Sequence, residues 1–212
     1  MKLNQLFVGL LMVFTCSTLW PHPTSFAGST GIMGYHSPQL THNQINYSWK
    51  HSFATGVHYY SKPNNTKKTA NLLSANFLLK RWNGEKHQAN LYAVLGLGKS
   101  SLNSDSIGVG LGLLQFDIED RDYYFLAKYM ELGNSKQTDL KQSTIRFGVT
   151  PYVDNYDGIH SWLILEWQET QFLGSTTLSE LTPFLRIFYR NLLFEIGQTY
   201  DGNSKFNYIT HF

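Results

Sequence analysis

Along most of this chain, side chains of opposite character alternate one for one. Asn43, Ile45, Tyr47 and Trp49 interleave with Gln44, Asn46 and Ser48. Ile145, Phe147 and Val149 interleave with Thr144, Arg146 and Gly148, and Phe206, Tyr208, Thr210 and Phe212 with Asn207, Ile209 and His211. Leu91, Ala93, Leu95 and Leu97 keep the same rhythm. Period two is the signature of strands that show different faces to different surroundings. Runs rich in turn formers punctuate the pattern, among them 61–68, 100–106, 133–138, 154–158 and 201–204. They divide the chain into twelve strand-like segments, near 30–36, 42–50, 52–61, 69–82, 86–99, 104–117, 121–133, 141–153, 158–170, 177–190, 192–200 and 204–212. Ten strands is the alternative, with the first two segments merged or unpaired. No amphipathic helix separates them.

The N-terminus reads as an export signal. Lys2 precedes an apolar run, 6–14, that is too short to span a bilayer as a helix. Ser25 and Ala27 place small residues where a signal peptidase reads, so cleavage is expected after Ala27, with 28–212 forming one unit. The single cysteine, Cys16, lies in the removed part; Phe14 and Thr15 fit a lipoprotein signal poorly. The mature chain therefore has neither disulfides nor thiolate metal sites. Beyond the signal no apolar stretch reaches the roughly 18 residues of a membrane helix. If this segment enters a membrane it does so as a closed barrel, because every backbone polar group in lipid must be paired. Composition agrees: charged residues are 15% of the chain, against about 25% in an average soluble domain, and aromatic residues are also 15%. The net charge of +2, without a basic stripe, argues against a nucleic-acid partner.

The expected fold is thus all-β, a closed antiparallel up-and-down transmembrane β-barrel. Its outward set includes Ile145, Phe147, Leu163, Leu165, Trp167, Leu181, Leu185, Ile187, Leu192, Phe194 and Ile196. Period two then forces Lys128, Arg146, Glu166, Arg186 and Glu195 inward, each in mid-strand on a consecutive strand. Charges in a narrow, poorly hydrated space persist only when paired. Three cations against two anions suit a plug of salt bridges in a polar, nearly charge-balanced interior. A narrow polar path for a small solute is the functional alternative. Gly108, Gly110 and Gly112 share one face of a strand, where they let the sheet bend or let bulky groups across the lumen approach. No Lys-Ser/Thr follows them, so they are not a phosphate loop. With the termini in the periplasm, the turns near 62–68, 100–105, 134–140, 171–176 and 201–204 point outward from the cell, and none is long enough for a receptor surface.

Met33, His36, His42 and His58 cluster in the early strands and are the candidates for a soft metal site, although their spacing matches no defined motif. His160-Ser161 invites a hydrolase reading, but no acid partner or oxyanion donor accompanies it. No catalytic residue and no cofactor is expected, and the chain reads as a non-enzyme.

The last strand ends in Phe212, with Phe206 and Tyr208 at spacing two. This resembles the terminal signature of small bacterial outer-membrane β-barrel proteins, which implies outer-membrane localisation, lipid contacts and recognition by the barrel-assembly machinery. A narrower resemblance rests on 79–83 with 88–92, 148–162 and 201–212. These look like an uncharacterised exported family associated with heavy-metal, especially copper, handling. That family implies a metal ion or small solute as partner, but carries no activity onto any residue here. The resulting expectation is an outer-membrane barrel with a salt-bridged interior, structural or narrowly porous. The alternatives are a lipid-modifying outer-membrane enzyme and a soluble periplasmic β-protein that binds a small ligand.

Overall fold

The computed structural model describes residues 22–103, 106–152 and 158–212. Twelve strands follow one another: β1 Thr30–His36, β2 Thr41–Lys50, β3 Phe53–Lys62, β4 Asn65–Asn83, β5 Gln88–Ser100, β6 Ile107–Glu119, β7 Tyr123–Gly133, β8 Thr138–Val149, β9 His160–Phe172, β10 Leu178–Tyr189, β11 Leu192–Gln198 and β12 Ser204–His211. Each pairs antiparallel with its chain neighbours, and β1 closes the ring on β12 through Gly31↔His211 to His36↔Phe206. The count is twelve, not ten, because the first segment is a strand in its own right, paired on both sides. Closure leaves no edge strand, so every ladder has a partner. One mouth of the barrel, here the near mouth, holds the start of β1 and the end of β12. The far mouth is opposite.

The alternation sorts side chains as period two requires. Ile45, Tyr47, Trp49, Leu95, Leu97, Ile145, Phe147, Leu163, Leu165, Leu185, Ile187, Leu192 and Ile196 all project from the outer wall, Leu97 with 75% of its surface exposed. Their neighbours Gln44, Asn46, Ser48, Thr144, Arg146, Glu166, Arg186 and Glu195 are buried inside. This inverts the usual arrangement of a water-soluble protein, where such charges are almost never enclosed unless paired.

The interior departs from the expected polar filling in more than one region. On β6 the pattern reverses: Val109 and Leu111 face inward, while Gly108, Gly110 and Gly112 lie on the outer face. A Cβ on Gly108 or Gly112 would meet nothing within 4 Å, so these glycines do not admit bulky groups across the lumen. Val109 and Leu111 instead join Leu40, Tyr60, Leu72, Leu102, Met130, Leu132 and Leu140 in an apolar cluster that fills part of the far mouth. Leu102 reaches it from the β5–β6 connection and is fully buried. A second apolar group, Tyr124, Leu126, Trp162, Ile164 and Phe184, lines β7, β9 and β10 on the near-mouth side.

Candidate functional site: a charged lumen

The register places opposite charges side by side. Arg146 on β8 faces Glu166 on β9, and Arg186 on β10 faces Glu195 on β11. Directly opposed pairs lie within reach of one another across a ladder. Arg146 Nη2 comes to 2.6 Å of Glu166 Oε2, and its Nη1 to 3.0 Å of Glu195 Oε2. Arg186 Nε lies 2.7 Å from Glu195 Oε1. Asn207 on β12, opposite Glu195, donates from Nδ2 to Oε2 at 2.7 Å. The chain of charges runs on to Lys205, whose Nζ lies 3.2 Å from both Glu166 Oε1 and Glu180 Oε2. The guanidinium groups also sit over rings, Arg146 over Phe184 at 5.2 Å and Arg186 over Tyr124 at 4.6 Å. Each carboxylate thus holds at least one cation in an enclosed space, the condition under which buried charge is tolerated.

Four of the five interior charges expected from the sequence meet in this network. Lys128 does not. It is on the inner face of β7, but among the described residues no carboxylate lies within ion-pair distance of its ammonium. It points past the Tyr35 ring, 5.4 Å away, and lines two small cavities. Lys205 and Glu180 were missed, yet their signal was present. Lys205 shares parity with Asn207 and His211, and Glu180 with Arg186. Both lie near strand ends, where a mid-strand criterion does not look.

The larger cavity, about 60 Å³, opens between Tyr35, Lys128, Arg146, Glu166, Glu195 and Lys205. The smaller, about 30 Å³, is lined by Met33, His42, Gln44, His58, Lys128 and Met130, with Pro23 at its edge. His42 Nε2 and His58 Nδ1 share a hydrogen bond at 3.0 Å, and His58 Nε2 meets Ser74 Oγ at 2.8 Å. Gln44 donates to the Met33 sulfur at 2.8 Å, and the Tyr60 hydroxyl to the Met130 sulfur at 3.4 Å. Three of the four suggested metal candidates are therefore brought together, and Met130 joins them. His36 is not among them: its ring packs against Phe206 and Tyr208 at the end of β1. Among the described residues no three His, Cys, Asp or Glu side chains cluster as a metal site.

A second polar group was not foreseen. Asp117 on β6 is buried at the near mouth and accepts from Asn90 Nδ2 at 2.8 Å and Gln115 Nε2 at 3.0 Å. His160 and Ser161 begin β9 at the same mouth, with the His160 ring near Phe188. Part of the expected turn 154–158 lies outside the described residues.

No family model matches the chain. No curated protein matches it either. Among solved structures it is similar to the crystal structure of Acinetobacter baumannii OccAB4, with 10% sequence identity and a TM-score of 0.42. The match covers 85% of this chain and 56% of that one, so this chain spans little more than half of its length. The assignment of function therefore rests on the chain's own residues.

Proposed function

We propose that this chain is a non-enzymatic β-barrel of the Gram-negative outer membrane, reached through a cleaved export signal, with a lumen closed by its own side chains. The observation that carries this reading is the inversion of the barrel: large apolar side chains cover the outer wall while the Arg146–Glu166–Glu195–Arg186 network fills the centre. An exposed apolar wall this extensive needs a cover. A closed barrel satisfies every backbone group that lipid would leave unpaired. Nine strands, β2 to β10, have 10 to 19 residues and reach the roughly 9–11 needed to cross, while β1, β11 and β12 have 7, 7 and 8. Phe206, Tyr208 and Phe212 lie on the outer parity of the last strand, where the barrel-assembly machinery would read them. Among the described residues, two cavities beside the ion pairs and the apolar cluster, about 60 and 30 Å³, have room for a few waters each. Planar-bilayer recording of the purified protein tests the closure: no stepwise current is expected in KCl. Stable open steps in the wild type would establish a pore instead. Recovery of the protein in the soluble periplasmic fraction, without detergent, would overturn the membrane assignment itself.

A second reading concerns metal handling, and one observation favours it. Two thioethers and two imidazoles, from Met33, Met130, the half-buried His42 and the buried His58, line one cavity, a donor set that suits a soft monovalent ion. Titration of the folded barrel with Ag⁺ checks it. Binding at one ion per chain that is lost in Met33→Leu/Met130→Leu supports the reading, and no saturable binding removes it.

A further inference from the structure

The barrel does not begin where the chain enters β1. Residues 22–24 are buried, His22 with 8% and Thr24 with 4% of their surface exposed. They form a strap that returns into the near mouth. The reversal is made by the turn at 26–29, closed by Ser29 N to Phe26 O at 3.2 Å, with Gly28 at a positive φ of 86°. Only glycine takes that backbone conformation at no steric cost.

The barrel wall offers the strap specific partners. Asn76 Nδ2, itself buried, donates to the Pro23 carbonyl at 3.0 Å. Ser48 Oγ accepts from the Ser25 amide at 3.0 Å, and Thr24 Oγ1 donates to the His51 carbonyl at 3.0 Å. The His22 ring lies tilted against the Tyr92 ring, 5.1 Å away, and its Nε2 lies 3.4 Å from Asp117 Oδ1. Asp117 and Glu119 are two buried carboxylates on one face of β6, and the other partners of Asp117 are the neutral amides of Asn90 and Gln115. A buried carboxylate that stands beside a second one needs polar partners for its oxygens. Among the described residues, the one histidine or basic nitrogen within 4.0 Å of the Asp117 carboxylate comes from the strap. A chain starting at Gly28 would strip the mouth of that partner and leave Asn76 without its acceptor.

We propose that export processing cuts this chain upstream of His22, so that residues 22–27 stay with the barrel and close its near mouth. This replaces cleavage after Ala27. It does not depend on which side of a membrane the near mouth faces, nor on whether the far mouth conducts.

Intact mass and N-terminal sequencing of the protein purified from cell envelopes test the retention. The first residue is expected at or before His22, and a chain beginning at Gly28 overturns the proposal. Closure is tested by thiol labelling in detergent. In a Cys16→Ser background, Ser48→Cys places a thiol under the strap, where Ser48 is 2% exposed. His22→Glu then sets a third carboxylate against Asp117 and Glu119 and expels the strap. Labelling by a charged thiol reagent is expected to rise about tenfold, with His22→Ala giving an intermediate rate. Equal rates in all three, in samples whose gel migration shows an intact barrel, overturn the closure.

Discussion

Glu195 is the residue on which the lumen network turns. It holds Arg146 and Arg186 at once and accepts from Asn207. Replacing it by glutamine keeps the shape but turns a shared anion into a neutral amide between two guanidinium groups. Breaking one partner out of a buried ion-pair set costs about 3–5 kcal/mol. Glu195→Gln is therefore expected to lower the stability of the vesicle-inserted barrel by about that amount, read from urea unfolding. Glu180→Gln should cost less, because Lys205 keeps Glu166 at 3.2 Å. An equal loss in the two variants would show that the charges act independently. The outer face makes the opposite demand. Leu165 is 46% exposed on the wall, midway along β9. Leu165→Arg is expected to destabilise the barrel by about 2–4 kcal/mol in bilayers, the cost of a cation on a lipid face near the midplane.

At the scale of elements, the turn from β10 to β11 has two residues, as do those from β2 to β3 and from β3 to β4. Arg190, in the β10–β11 turn, has φ of 51°, the left-handed region that residues with a Cβ seldom adopt. Two-residue hairpin turns call for positive φ, and glycine meets that demand without strain. Arg190→Gly is expected to raise the urea midpoint by an amount equivalent to about 1 kcal/mol; a fall would show that the guanidinium over the Tyr189 ring matters more. The closing ladder uses glycine differently. Gly34 on β1 lies opposite Tyr208, whose ring occupies the space a Cβ would need. Tyr208 thus seals the first strand to the last, in addition to its place in the terminal pattern. Strand existence and approximate bounds were legible from period two, because each strand separates two unlike environments. The role of Tyr208 over Gly34 was not, because it depends on which strands close the ring.

As a whole molecule the barrel is a single ring of 12 strands with three kinds of filling. An apolar cluster occupies part of the far mouth, ion pairs the centre, and the strap with Asp117 the near mouth. With no free strand edge, unfolding must open the ring. An unheated sample is accordingly expected to migrate faster on a denaturing gel than a boiled one. Identical migration would show that the ring is not held in detergent.

What the residue order determined alone is the alternation, and with it the approximate strands, the parity of Arg146, Glu166, Arg186 and Glu195, and the outward apolar wall. These follow from a two-residue repeat that needs no knowledge of neighbours. Twelve strands rather than ten came from the pairing of β1 on both sides. Only the tertiary structure decided which inward residues meet. Parity says that a side chain faces the lumen, whereas pairing depends on register, stagger and distance across it. Lys128 has the right parity but, among the described residues, no carboxylate within ion-pair distance. His22, outside every strand, finds Asp117 because the chain turns back at Gly28. The apolar plug around Leu102 forms because β6 reverses its pattern where the barrel interior, not lipid, offers apolar neighbours.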